Sequence, residues 1–178
     1  MNLPNLLTIF RILIIPVFIN LLIYGYHAWA LTVFLVAGLT DGLDGLIARV
    51  SNQRTKLGTY LDPMADKLLL TASFLTLAIL QAIPVWSAVI VVSRDVILIL
   101  GALILHLTQT SQEISPTFLG KSTTAAQLVY VVLVLLTIVT EGSTASLIPV
   151  LVITIALTIF SGLHYIYRGI RSLNSEHA

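Results

Sequence analysis

Apolar residues run through this chain in stretches of about 20, each closed by a short polar break, and that pattern predicts six membrane-spanning helices. The first stretch ends near Tyr24; the others cover about 28–49, 58–80, 85–106, 119–140 and 146–167. Residues Met1 to Thr8, with Pro4 near the start, read as an interfacial segment running into the first span, where Arg11 is expected to snorkel toward the headgroups. The polar tract 108–117, with Pro116 near its end, reads as a linker. The expected fold is an all-α integral membrane protein, a six-transmembrane-helix bundle with an N-terminal interfacial helical segment. It fills residues 1–178 as a single membrane domain.

Composition strengthens this reading. Of 178 residues, 57% are hydrophobic and only 10% charged, and the mean hydropathy is +1.01. A soluble domain of this size could not cover so much apolar surface. The net charge of +1 and the absence of a basic run exclude a nucleic-acid partner, which leaves membrane lipid. With no cysteine there is neither a disulfide framework nor a thiolate metal site. The first stretch is too long for a secretory apolar region and lacks an A-x-A site, so no removable signal peptide is expected.

Charge also sets orientation. Arg49, Arg54 and Lys56 fall on one side, as do Arg168 and Arg171, whereas the connections 25–27, 81–84 and 141–145 contain no lysine or arginine. Both termini are therefore expected in the cytoplasm.

The chemistry lies in charged residues placed where hydrocarbon makes them costly. Asp41 and Asp44 stand at i, i+3 near the end of the second predicted helix, and Asp62 and Asp66 at i, i+4 on the third. Each pair shares one helical face, and a short loop makes the two helices antiparallel neighbours. Four carboxylates around one small volume need compensating positive charge. All-oxygen ligation suits Mg2+ or Mn2+, and two such divalent ions would clamp a pyrophosphate. Gly45 and Ala48 beside the first pair, and Gly58 one turn before Asp62, leave room for a ligand to approach the backbone.

Residues 41–66 read DGLDGLIARVSNQRTKLGTYLDPMAD and fill every fixed position of D-x-x-D-G-x-x-A-R-x8-G-x3-D-x3-D. On this motif the chain resembles the CDP-alcohol phosphatidyltransferase family. The opening NLPNLLTIFRILIIPVFI is similar to the start of the family's phosphatidylglycerophosphate synthases. The resemblance implies that Asp41, Asp44, Asp62 and Asp66 bind two metal ions that hold the pyrophosphate of CDP-diacylglycerol. It implies that Asp66 is also the general base for an acceptor hydroxyl, with CMP leaving. Gly45, Ala48, Arg49 and Gly58 would shape the nucleotide site beside Asp41, Asp44 and Asp62, with Asn5 and Thr55 as further candidates. The resemblance also implies a homodimer, and a bacterial inner membrane with the active site on its cytoplasmic side.

A phosphate-bearing acceptor needs cations, and Arg94, Lys121 and Arg168 lie within or beside predicted spans. The stretch GKSTTAAQ at 120–127 resembles the G-K-x-K-T-x-x-Q element of phosphatidylglycerophosphate synthases, with Thr123 where a lysine is usual. VSRDV at 92–96 and SPTFLGKSTTAAQ at 115–127 also resemble cardiolipin synthases that use CDP-diacylglycerol. The expected acceptor is glycerol 3-phosphate, with phosphatidylglycerol as the alternative, since fewer cations favour a singly charged diester.

Blander readings stand beside these. Arg94 and Asp95 also read as a local charge pair within the bundle. Lys67 reads as a group that balances the acidic cluster or snorkels, outside catalysis, and Arg54, Lys56, Arg168 and Arg171 read equally as topology determinants. A cation channel or transporter would also bury carboxylates, but it would not require Gly45, Ala48, Arg49 and Gly58 at these offsets.

Overall fold

The computed structural model describes residues 3–51, 56–107 and 118–175, with side chains described for 9–40, 67–101 and 118–169. Thr55, the rest of the loop 52–55 and the linker 108–117 lie outside the described residues. Six α-helices follow in order: α1 Leu3–Ile23, α2 His27–Ser51, α3 Lys56–Ile79, α4 Val85–Leu107, α5 Phe118–Val139 and α6 Ile148–Ser175. A 3-10 turn at Thr144–Leu147 precedes α6, and no strand occurs among the described residues.

The polar breaks end helices where the sequence pattern places them, and three of them do so by the same device. After α1, α3 and α5 the chain turns through left-handed residues, Gly25 (φ +79), Gln81 (φ 57) and Glu141 (φ 55). In each case the following amide reaches back to a carbonyl in the last turn: Tyr26 N to Leu21 O at 2.8 Å, Ala82 N to Leu77 O at 2.9 Å and Gly142 N to Thr137 O at 2.8 Å. Gly25, Gln81 and Glu141 themselves donate to Leu22, Ala78 and Ile138. These paired bonds satisfy carbonyls that a helix end otherwise leaves bare.

Leu3–Ile23 is one unbroken helix in which residues 3–8 run into the first apolar stretch. One boundary differs from the sequence pattern. The last helix continues to Ser175 instead of giving way to a tail after residue 167. At 1.5 Å per residue it is about 42 Å long, more than the roughly 30 Å of a hydrocarbon core.

Helix α1 packs on both α2 and α3, α4 on α3 and α6, and α5 on α2 and α6. Over the described residues α1 and α5 each contact both α2 and α3. The core is aromatic and aliphatic: Phe18 meets Phe34 with ring centroids 5.6 Å apart, Phe74 stacks on Tyr130 at 5.9 Å, and Leu22, Leu77, Val134 and Leu151 fill around them. Where α4 meets α6, Gly101 leaves room for the Tyr165 ring, whose Cε1 would stand 2.8 Å from an added Cβ and would have to shift.

Apolar side chains also point outward, with Leu13, Leu39, Ile79, Val89, Val129 and Phe160 all exposed. Helix α5 and the segment 144–169 are each long and apolar enough to cross a membrane. Shorter apolar helical stretches occur at Ile9–Ile23, His27–Thr40 and Lys67–Ile79 among the described residues. Such an outer surface is satisfied by lipid and not by water, so the protein associates with membrane.

Candidate functional site

Charged positions of the first three helices stand at one level along their axes. Arg11 stands about 14 residues before the Gly25 cap, and Lys67 stands about 14 before the Gln81 cap, roughly 21 Å along each axis. Asp41 lies about the same number of residues beyond the start of α2, which runs back antiparallel from the Gly25 turn. At this depth α1 contributes Arg11, α2 begins its acidic turn, and α3 carries Asp66 followed by Lys67.

Arg11 corrects one expectation. Its side chain is 1% exposed, so it does not snorkel outward but lies inside the bundle. The signal was present in the helical phase: Arg11, Phe18 and Leu22 fall on one stripe, and all three are buried against α2 and α3.

The four aspartates sit on unbroken helix, Asp41 and Asp44 in α2 and Asp62 and Asp66 in α3, so each pair is one turn apart on its own element. Gly45, Ala48 and Arg49 follow on α2, Gly58 opens α3, and Asn5 belongs to the first turns of α1. The side chains of all these residues lie outside the described ones. Among the described residues no group of three or more His, Cys, Asp or Glu side chains gathers as a metal site. The fit to a metal rests on the donor set itself, four carboxylates with no competing sulfur, which suits hard divalent ions.

On the other side of α3 the geometry is explicit. Asp95 on α4 accepts from Arg94 NH1 at 2.8 Å through Oδ1 and from the Thr71 hydroxyl at 3.4 Å through Oδ2. Arg94 NH2 donates to Ser161 on α6 at 3.0 Å. Lys67 Nζ stands 4.0 Å from the same Asp95 oxygen, with its side chain 33% exposed. The aliphatic part of Arg94 packs beside Gly162. This cluster joins α3, α4 and α6, and it fastens the residue after Asp66 to a buried ion pair.

The three expected acceptor cations are thus placed differently. Arg94 is buried and engaged by Asp95 and Ser161. Lys121 is exposed in the first turn of α5, and Arg168 is partly buried toward the end of α6. Among the described residues neither is ion-paired, and no contact brings the three together. Thr123 is fully buried, its hydroxyl donating to Leu119 O at 2.8 Å and to Leu157 O of α6 at 3.1 Å. One turn on, Gln127 Nε2 donates to Thr158 Oγ1 at 3.1 Å. Both residues hold α5 to α6.

The family model for CDP-alcohol phosphatidyltransferase matches residues 1–161, which include α1 to α5 and the aspartate motif. The chain belongs to the CDP-alcohol phosphatidyltransferase family. It is 33% identical over 181 residues to a Mycobacterium tuberculosis protein named "Probable phosphatidylglycerophosphate synthase", covering 97% of this chain and 83% of that one. It is 33% identical over 150 residues to the Bacillus subtilis CDP-diacylglycerol–glycerol-3-phosphate 3-phosphatidyltransferase, covering 76% of this chain and 77% of that protein. To the human cardiolipin synthase (CMP-forming) it is 38% identical over 146 residues, covering 73% of this chain and 48% of the human protein. Membership makes it a phosphatidyltransferase of phospholipid synthesis.

Proposed function

We propose that this chain is a six-span membrane enzyme that transfers the phosphatidyl group of CDP-diacylglycerol to a hydroxyl of glycerol 3-phosphate, giving phosphatidylglycerophosphate and CMP. The observation that carries this reading is the complete aspartate motif on α2 and α3 inside a family match over residues 1–161. Similarity over 97% of the chain to the mycobacterial protein favours glycerol 3-phosphate. Similarity to the human cardiolipin synthase favours phosphatidylglycerol as a second reading. The placement of arginine and lysine supports cytoplasmic termini, with the active site on the same side of a bacterial inner membrane. A homodimer is the assembly the family resemblance implies.

In this reading Asp41, Asp44, Asp62 and Asp66 would hold two divalent ions, Mg2+ or Mn2+, which would supply positive charge for the diphosphate and the CMP leaving group. Gly45, Ala48, Arg49 and Gly58, with Asn5 and Thr55 nearby in sequence, shape the nucleotide pocket. Asp66 takes the proton of the acceptor hydroxyl. The acceptor oxygen forms a bond to the phosphorus that carries diacylglycerol, and the bond from that phosphorus to the oxygen of CMP breaks. Lys121 and Arg168 lend positive charge to the acceptor side from α5 and α6, while Arg94 acts from within its buried cluster.

The test is CMP release by the purified chain in mixed micelles with CDP-diacylglycerol, Mg2+ and glycerol 3-phosphate, with the lipid product identified. Asp66→Asn should lower the rate by about 100-fold or more. Wild-type turnover in that variant would remove Asp66 from its role, and cardiolipin as the sole product would replace the acceptor.

A further inference from the structure

The geometry points to Lys67 as the cation that meets the phosphate of the acceptor. This rests on the transferase reading above and adds to it a residue that the sequence places outside the chemistry.

Charge accounting within the cluster singles Lys67 out. Arg94 and Asp95 form a short, buried pair at 2.8 Å, their side chains 7% and 9% exposed, and the guanidinium is further occupied by Ser161. That pair is neutral. Lys67 reaches the same carboxylate only at 4.0 Å and keeps a third of its side chain open. Among the described side chains the cluster therefore sums to one positive charge, carried by its most accessible charged member.

Position on α3 gives the charge a use. Successive residues on a helix are turned by about 100°, so Lys67 leaves the face shared by Asp62 and Asp66 and turns toward α4, as its approach to Asp95 shows. A ligand lying across this turn of α3 can place a hydroxyl at Asp66 and an anion at Lys67. Both candidate acceptors have that form, since glycerol 3-phosphate and the headgroup of phosphatidylglycerol each carry a phosphate and a free terminal hydroxyl on opposite ends of a three-carbon glycerol. The Asp95–Arg94 pair then serves as a fixed base. It keeps the lysine near the site without neutralising it, because Arg94 already satisfies the carboxylate.

The experiment measures steady-state kinetics of the full chain in mixed micelles with Mg2+ and CDP-diacylglycerol, for wild type, Lys67→Gln and Lys67→Arg, with glycerol 3-phosphate and with phosphatidylglycerol. Lys67→Gln should raise KM for the accepted phosphate compound by tenfold or more, with KM for CDP-diacylglycerol within twofold of wild type. Lys67→Arg should recover most of the loss. An unmoved acceptor KM in Lys67→Gln, an equal rise for CDP-diacylglycerol, or an arginine variant no better than glutamine each overturns the assignment. Wild-type turnover with an unmoved acceptor KM sinks this inference alone. A wild-type chain that releases no CMP with either acceptor sinks the transferase reading with it.

Discussion

The hydroxyl of the fully buried Thr123 on α5 donates to the carbonyl of Leu157 on α6 at 3.1 Å. In the phosphatidylglycerophosphate synthases that the chain resembles, a lysine is usual at this position, and its loss reads from the sequence as a missing acceptor cation. Here the residue works as a helix-pairing group. Thr123→Val keeps the shape and removes the bond, so it should cost about 0.5–1.5 kcal/mol. Thermal unfolding in detergent measures that loss. The ratio of turnover with glycerol 3-phosphate to turnover with phosphatidylglycerol should stay unchanged, and a shift in the ratio would return Thr123 to the acceptor site.

The three left-handed caps allow a second test. Gln81 (φ 57) and Glu141 (φ 55) adopt a conformation that costs a side-chain-bearing residue about 1–2 kcal/mol, whereas Gly25 (φ +79) adopts it freely. Gln81→Gly and Glu141→Gly should each raise stability by about 0.5–1 kcal/mol, after allowing for glycine's larger entropy when unfolded. Gly25→Ala should lower it by about 1 kcal/mol through backbone strain alone, since no atom stands within 4 Å of the added Cβ. All three caps lie at the end of the bundle away from the aspartates, so CMP release should not change.

Metal removal tests the acidic turns of α2 and α3. In the proposed site, carboxylates would bind divalent ions only while ionised and correctly spaced. EDTA should reduce CMP release to background, and added Mg2+ or Mn2+ should restore it. Asp62→Asn should shift the metal titration to higher concentration by about tenfold or more. An activity indifferent to EDTA would dismiss the all-oxygen metal site.

The sequence reveals the helices more readily than their partners. Apolar stretches and polar breaks are local, so the ends of α1, α3 and α5 can be placed from them within a few residues. The caps at Gln81 and Glu141 are hidden because neither carries glycine; Gly142 is one residue too late to mark the turn. Asp41, Asp44, Asp62 and Asp66 stand out because their spacing is written along the chain. The Lys67–Asp95–Arg94–Ser161 cluster is not, since it joins three helices and its members are up to 94 positions apart. Arg11 lies between these cases: its stripe with Phe18 and Leu22 is readable, but a lone arginine near a span end fits an outward path equally well.

The Arg94–Asp95 pair makes the last prediction. Both side chains are buried, and the Asp95 carboxylate is the closest opposite charge to Arg94 among the described residues. Among the described residues, Asp95→Ala would leave the guanidinium with only the Ser161 hydroxyl at 3.0 Å, and an uncompensated buried charge costs about 3–5 kcal/mol. The thermal midpoint should fall accordingly. Replacing both members, Arg94→Met with Asp95→Leu, removes the charge and its partner together and should retain most of the wild-type stability. A double variant as unstable as Asp95→Ala would mean that the pair's hydrogen bonds to Thr71 and Ser161, rather than charge compensation, hold α3, α4 and α6 together.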